Sequence, residues 1–168
     1  MGEMERHFTV SGFVSQSGAT ALHWHRLGLW LPPGGHIEAN EEPIEAVLRE
    51  VHEETGIRVA VVPTSPRYAH EEPRQLPAPV SIGVYDIDEP GHAHQHIDLI
   101  YFTRPLAGEP LALPDDGNGW LWVSEDALRS EHTLARPDGD GAAAIPEDVR
   151  RLGLDAIAAV RALEVGAA

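Results

Sequence analysis

The sequence predicts a single α/β (α+β) domain, a layered sandwich of helices and a largely mixed or antiparallel sheet. Three observations predict it. The 168 residues fit one domain of ~100–200 residues. A composition that is 42% hydrophobic and 23% charged suits a packed core rather than a disordered chain. Short β-leaning runs arranged as hairpins are interrupted by two segments of helical periodicity, the pattern of a layered sheet-and-helix domain.

Residues 7–15 (HFTVSGFVS) and 20–25 (TALHWH) are β-leaning, and the turn-forming Gln16-Ser17-Gly18 between them predicts a hairpin. Residues 28–36 (GLWLPPGGH) crowd prolines and glycines around Trp30 and Leu31, which predicts a shaped loop rather than a helix. Residues 41–55 form the clearest helix. Ile44, Val47, Leu48 and Val51 recur at i, i+3, i+4 and i+7 as one apolar stripe. Asn40 is the expected N-cap, Pro43 is tolerated in the first turn, and Gly56 suits a left-handed stop.

Residues 57–62 (IRVAVV) read as a strand, and residues 65–79 as a proline-rich loop. Two further strands, 80–87 and 96–104, are joined through the turn-prone Asp88-Glu89-Pro90-Gly91. Residues 120–123 form another short strand, after which Ser124 caps a brief helix ending at Leu128. Residues 131–145, with Pro-Asp-Gly-Asp-Gly inside them, read as a mobile loop. Residues 146–164 read as a C-terminal helix that opens on proline and acids and carries Leu152, Ala156, Val160 and Leu163 on one face. Residues 1–168 thus make one domain.

Charge and cysteine narrow the function. With no cysteine, disulfides, thiolate catalysis and cysteine-ligated metals are excluded. Twelve basic residues, all arginine, stand against 27 acids, a net charge of −15. So negative a field repels nucleic-acid polymers and anionic membranes. It would also repel a small anionic substrate unless a cation stands between them. No apolar run approaches the ~18–20 residues of a membrane span, and the chain starts polar.

The informative stretch is residues 35–57, GHIEANEEPIEAVLREVHEETGI. At 100° per residue Glu50, Glu53 and Glu54 share one helix flank turned away from the apolar stripe. Like charges at i, i+3 and i, i+4 cost ~0.2–0.5 kcal/mol each. Acids beside the negative end of the helix dipole cost a further ~0.3–1 kcal/mol apiece. The local penalty sums to roughly 1–3 kcal/mol, a noticeable part of a stability of ~5–15 kcal/mol. Such a cluster is either a solvated acidic face or a hard, oxygen-rich site for Mg²⁺ or Mn²⁺, which would relieve the repulsion.

The spacing runs Gly35, five residues, Glu41, seven residues, Arg49-Glu50-Val51, one residue, Glu53-Glu54, one residue, Gly56-Ile57. That is a complete Nudix box, so the sequence resembles the Nudix hydrolases. Trp122-Val123-Ser124 with Leu128 is similar to the family's late strand-to-helix turn. The resemblance implies an α/β/α sandwich holding a loop–helix–loop motif. It also implies a divalent-cation-dependent pyrophosphatase in which water attacks phosphorus of a nucleoside diphosphate linked to another group. By this resemblance Glu50, Glu53 and Glu54 are metal ligands for Mg²⁺ or Mn²⁺, with the carbonyl of Gly35 as an additional one. Arg49 orients a glutamate through a bidentate contact, Glu41 supports the helix from behind, and Glu53 is the favoured general base, with Glu54 or a residue outside the box as alternatives.

Outside the box, His92, His94, His96 and Asp98 alternate at period two and share a face of an extended strand. They could line the substrate site or bind a metal, or form a polar hairpin end. His96 and Asp98 are the stronger substrate-site candidates, with Arg26 and His36 flanking the Gly/Pro loop where phosphates would lie. Asp115 and Asp116 are candidates for a further acidic ligand, since many relatives place one before the late tryptophan strand. His23, Trp24 and His25 are expected to alternate between solvent and core.

The loop LPPGGHIE resembles the small MutT-like members that clean nucleoside triphosphates, including oxidised ones. ADP-ribose or nucleotide-sugar hydrolysis is the alternative within the family. Pro73 resembles an ADP-ribose hydrolase marker, in a segment whose many prolines supply that match unaided. The rival class is a nucleotide-sensing module without catalysis, which the complete set of box carboxylates disfavours. The expected partner is a small nucleotide, with no nucleic-acid polymer and no membrane. A homodimer is admitted as an assembly, and a cytoplasmic location is expected.

Overall fold

The computed structural model describes residues 4–89, 91–130 and 133–166. Its spine is β1 (Arg6–Gln16), which runs parallel to β7 (His92–Pro105) from the Arg6–Gln95 pair to the Val14–Thr103 pair. On its other edge β1 pairs antiparallel with β4 (Gly34–His36), and its last residues turn into β2 (Ala19–His25). That turn is the expected one: Ser17 (φ 46°) and Gly18 (φ 78°) both take the left-handed backbone that tight hairpins require. β2 pairs with β3 (Leu29–Leu31) and β8 (Leu121–Ser124). The outer edge of β7 is occupied by β6 (Ser81–Glu89) and, further along, β5 (Val59–Val61). The result is an eight-stranded mixed sheet.

Alternation along β1 divides the core. Val10 and Val14 face α1 (Pro43–Thr55), whose Ala46, Val47 and Val51 are fully buried against them and Tyr101. Phe13 faces the opposite layer, where α3 (Glu147–Gly166) contributes Val149, Ile157 and Val160 and α2 (Glu125–Arg129) contributes Leu128. This is the α/β/α arrangement that the resemblance implies. α1 lies so close to β1 because Gly12 lacks a side chain. A Cβ there would stand 2.6 Å from Cγ2 of Val51 and 2.9 Å from Cγ2 of Val47.

Several expectations are corrected. Asn40 is not the cap of α1: it takes a left-handed φ of 67° in the preceding turn. Glu42 caps instead, its backbone N–H donating to the Glu45 carboxylate at 3.2 Å. The helix begins at Pro43 because a first-turn residue needs no N–H. Residues 28–36 contain two short strands rather than only a loop, since Gly34 and Gly35 let the chain come up against β1.

β6 and β7 extend to Glu89 and from His92, so the hairpin end belongs to the strands; Pro90 lies outside the described residues. Residues 133–144, expected as a loop, form the ribbon β9 (Thr133–Ala135) with β10 (Ala142–Ala144). The Pro-Asp-Gly-Asp-Gly run is its turn, closed by the Arg136 N–H donating to the Gly141 carbonyl at 2.9 Å. Glu131 and His132 lie outside the described residues. Ser124 does cap α2, accepting from the Ala127 N–H at 3.2 Å. Among the described residues no helix is long and apolar enough to cross a membrane.

Candidate active site

The end of α1 is fixed by local chemistry. The Thr55 hydroxyl donates to the Val51 carbonyl at 2.6 Å and accepts from the Ile57 N–H at 3.1 Å. Gly56, left-handed at φ 71°, closes the last turn onto the His52 carbonyl. This holds the final two turns of α1 beside β4 and sets the Glu50 and Glu54 carboxylates against its backbone.

Glu54 is half-buried, and its Oε2 accepts the Gly34 N–H at 2.9 Å. Burial pushes its carboxyl up to about 7. The charges of Glu50, Asp116 and Glu53 add to that rise, against the opposing pull of the Gly34 N–H. The Glu50 carboxylate lies where Gly35 has no side chain: a Cβ at Gly35 would stand 2.5 Å from Cδ of Glu50. Glu53 completes the group with its side chain 59% exposed, open to solvent and to whatever enters.

Arg49 ties the group together. Its Nε and Nη2 donate to the two oxygens of Glu41 at 2.8 Å each, a bidentate fork. Its Nη1 donates to Glu50 Oε1 at 2.7 Å and to Glu53 Oε2 at 3.3 Å, and Nη2 also reaches the His36 carbonyl at 3.0 Å. The bidentate contact therefore falls on the supporting Glu41 rather than on Glu50, Glu53 or Glu54. The guanidinium holds Glu41 below the usual carboxylate range.

These residues fit a hard dication. The donors are all oxygen, the Gly35 position is a cradle that any side chain would fill, and Glu54 is a half-buried acid with no cationic partner among the described residues. Asp116 adds its field to Glu54, while its own carboxylate accepts from the backbone and side chain of Asn118 at 2.9 and 3.0 Å. Asp115 is exposed in the same loop.

On the other face of β4, under α3, lies a cleft of about 450 Å³ that brings together all four remaining candidates, Arg26, His36, His96 and Asp98. Its wall is apolar, with Phe13, Leu27, Leu29 and Leu152. Asp98 sits at the floor, only 7% exposed, accepting the Thr9 hydroxyl at 2.8 Å. Burial pushes its carboxyl up, against hydrogen bonds from Ser11 and Thr9. At the mouth the Tyr85 hydroxyl donates to Asp148 at 3.1 Å, linking β6 to α3.

Sequence reasoning missed His23. It is buried and stacks on Trp120 with centroids 4.4 Å apart, and it lines the cleft. Burial pulls its imidazole down to about 4, with the neighbouring His25 adding to the effect. Its Nδ1 has no hydrogen-bond partner among the described residues. Also missed was His7, which the parallel register sets opposite His96.

The family model of the NUDIX domain matches residues 5–144. An RNA pyrophosphohydrolase of Erythrobacter litoralis is 34% identical over 110 residues, 61% of this chain and 63% of that protein. An 8-oxo-dGTP diphosphatase of Proteus vulgaris is 45% identical over 69 residues, 41% of this chain and 57% of the relative. An m7GpppN-mRNA hydrolase NUDT17 of Xenopus laevis is 56% identical over 34 residues, 20% of this chain and 12% of that protein. The chain thus aligns with less than two thirds of each of these relatives. Among solved structures, a NUDIX-family hydrolase from Clostridium perfringens superposes with a TM-score of 0.65 at 27% identity, covering 94% of this chain and 99% of the other. A MutT protein from Methanosarcina mazei has the same fold, with a TM-score of 0.55 at 18% identity over 93% of this chain and 96% of its own.

Proposed function

The chain belongs to the Nudix hydrolase family, and from that premise we propose that it is a divalent-cation-dependent pyrophosphohydrolase of small nucleotides. The reaction adds water across a phosphoanhydride: hydroxyl joins phosphorus, the bridging oxygen leaves, and one proton is released. The supporting observation is the placing of Glu50 and Glu54 against the Gly34-Gly35 backbone, with Glu53 joined to Glu50 through Arg49, on the other side of β4 from a nucleotide-sized cleft.

Glu50, Glu53 and Glu54, with the Gly35 carbonyl, would hold Mg²⁺ or Mn²⁺. Once bound, such a dication polarises the phosphoryl oxygens and lowers the pKa of water. The protein's own residues do the rest. Arg49 keeps Glu50 and Glu53 oriented through its fork on Glu41. Glu53, the most open of the three, accepts the proton of the attacking water. Arg26 and His36 meet phosphate at the cleft's rim, offsetting the negative field. The apolar wall and the His23 ring seat the base, with Nδ1 of His23 available to read its edge.

Nucleoside triphosphates, oxidised ones included, are the substrates this reading favours. A cleft of this size holds one nucleotide, and a net charge of −15 opposes a polymer. The test is a panel of nucleoside triphosphates, 8-oxo-dGTP, ADP-ribose, nucleotide sugars and a short 5′-triphosphorylated RNA, each with Mg²⁺ and with Mn²⁺. Released pyrophosphate or monophosphate is the readout. Turnover of a nucleoside triphosphate that Glu53→Gln abolishes, with the fold intact, supports the proposal. Unchanged turnover in that variant eliminates the mechanism, and binding without turnover puts a sensing module in its place.

A further inference from the structure

Five histidines, half of those in the chain, gather at one end of the sheet, on the face opposite the carboxylates. The geometry points to a second cation site formed by His7, His94 and His96, selective for a borderline transition-metal dication such as Zn²⁺. The inference does not rest on the proposed hydrolase activity, although the site borders the same cleft.

The topology makes the cluster. His94 and His96 project to one face of β7, and the parallel register places His7 of β1 directly opposite His96. β4 adds His36, whose side chain points away from the face on which Gly35 meets Glu50. The candidate ligand nitrogens of His7, His94 and His96 all lie within 4.8 Å of one another. Nε2 of His94 and Nε2 of His96 are 3.1 Å apart. Nδ1 of His7 and Nε2 of His36 are also 3.1 Å apart. Ligands at ~2.0–2.1 Å on a tetrahedral zinc ion stand about 3.4 Å from each other, close to these spacings.

For His94 and His7 the surrounding hydrogen bonds select the tautomers that ligation needs, while His96 would give up the Nε2 proton that faces His94 as the ion binds. Nδ1 of His94 faces the His92 carbonyl at 2.9 Å, which can only accept, so the proton is on Nδ1 and the Nε2 lone pair points into the cluster. Nε2 of His7 faces the Glu5 carboxylate at 2.9 Å, so it donates and leaves the Nδ1 lone pair inward. Glu5 reaches His92 through its other oxygen, also at 2.9 Å. Carboxylate–histidine and carbonyl–histidine contacts of this kind orient imidazoles in metal sites. Three imidazoles make a donor set suited to Zn²⁺, Co²⁺ or Ni²⁺ and poorly suited to Mg²⁺, so the two sites take different ions. His36 stands where a fourth ligand would complete the shell. Because His36 and His96 also line the cleft, an ion here would put positive charge beside it.

The test uses untagged full-length protein, stripped with a chelator and titrated with Co²⁺ as a visible-absorption probe, then with Zn²⁺ in competition. Three outcomes are expected together. Wild type develops the intense visible bands of a low-coordinate imidazole-bound Co²⁺ ion, at one equivalent, and Zn²⁺ displaces it. His7→Gln, at a half-exposed position, weakens Co²⁺ binding at least tenfold, as does His94→Ala where it folds. Glu5→Gln weakens it about 10–100-fold. A variant carrying Glu50→Gln, Glu53→Gln and Glu54→Gln keeps the bands, which separates this site from the carboxylate one. The proposal is overturned if wild type shows only the weak absorption of hexa-aqua Co²⁺, if folded His7→Gln titrates like wild type, or if the carboxylate variant loses the bands.

Discussion

Replacing Arg49 with lysine keeps the positive charge and removes the fork, so it separates geometry from field. Five N–H contacts radiate from this guanidinium: two to Glu41 at 2.8 Å, one each to Glu50 and Glu53 at 2.7 and 3.3 Å, and one to the His36 carbonyl at 3.0 Å. A lysine ammonium is a point donor and cannot span the two Glu41 oxygens while reaching the other glutamates. Charge-assisted hydrogen bonds contribute ~1.5–3 kcal/mol each when buried. Here the side chain is 24% exposed, and screening lowers the net loss of stability to about 1–2 kcal/mol. In a domain of this size that is about 2–8 °C in Tm. The larger effect should fall on the site, where freeing Glu50 and Glu53 weakens Mn²⁺ binding about 10–100-fold, the usual effect of losing an orienting contact. Thermal melting and calorimetric Mn²⁺ titration of Arg49→Lys measure the two effects. A lysine variant with wild-type Mn²⁺ affinity and wild-type kcat/KM refutes the argument that the fork positions the carboxylates.

Three further outcomes follow from single contacts. Gly12→Ala pushes a methyl against Val51 and Val47, so it should lower stability by about 1–3 kcal/mol, read by denaturant unfolding. Gly35→Ala drives a Cβ into the Glu50 carboxylate and should reduce Mn²⁺ affinity and turnover together, with kcat falling while the far-UV spectrum is unchanged. His23 provides the pH test. Its folded imidazole lies near 4 and the unfolded one near 6.5, so the unfolded chain binds more protons between those values. Stability is therefore full above pH 6.5 and falls as the pH drops towards 4, by about 2–3 kcal/mol. His23→Gln should flatten that acid slope, and a pH series of urea midpoints would reveal an unchanged slope if the burial argument is wrong.

The box was legible because everything that builds it is local. The apolar stripe, Pro43, Gly56 and the spacing of the glutamates all lie within residues 35–57, and α1 forms there. What could not be read is what depends on distant pairing. The His7–His96 and Thr9–Asp98 contacts join residues 89 positions apart, through a parallel register that no turn signal encodes. His92, His94 and His96 could be placed on one face by period-two reasoning, but nothing in that pattern says that His7 and His36 stand beside them. His23 was misjudged for a related reason. Alternation along β2 predicts one wet face, whereas Trp120, carried in by the chain just before β8, covers it. Asn40 and the 133–144 ribbon are cases of competing local signals: a good capping residue lost to the box of Glu42 and Glu45, and a glycine-rich run became the turn of a hairpin.

The most direct test compares wild type with the Glu50→Gln, Glu53→Gln, Glu54→Gln variant by thermal melting, first with a chelator and then in millimolar Mg²⁺, a cation that imidazoles bind poorly. Without cation, three neutral side chains should melt at or above the wild-type temperature, because Glu54 is half-buried and the like charges are gone. With Mg²⁺ the wild type should rise in Tm and the variant should not. An equal Mg²⁺ shift in both proteins, or a variant markedly less stable than wild type under chelation, would mean that these carboxylates serve the fold rather than a cation.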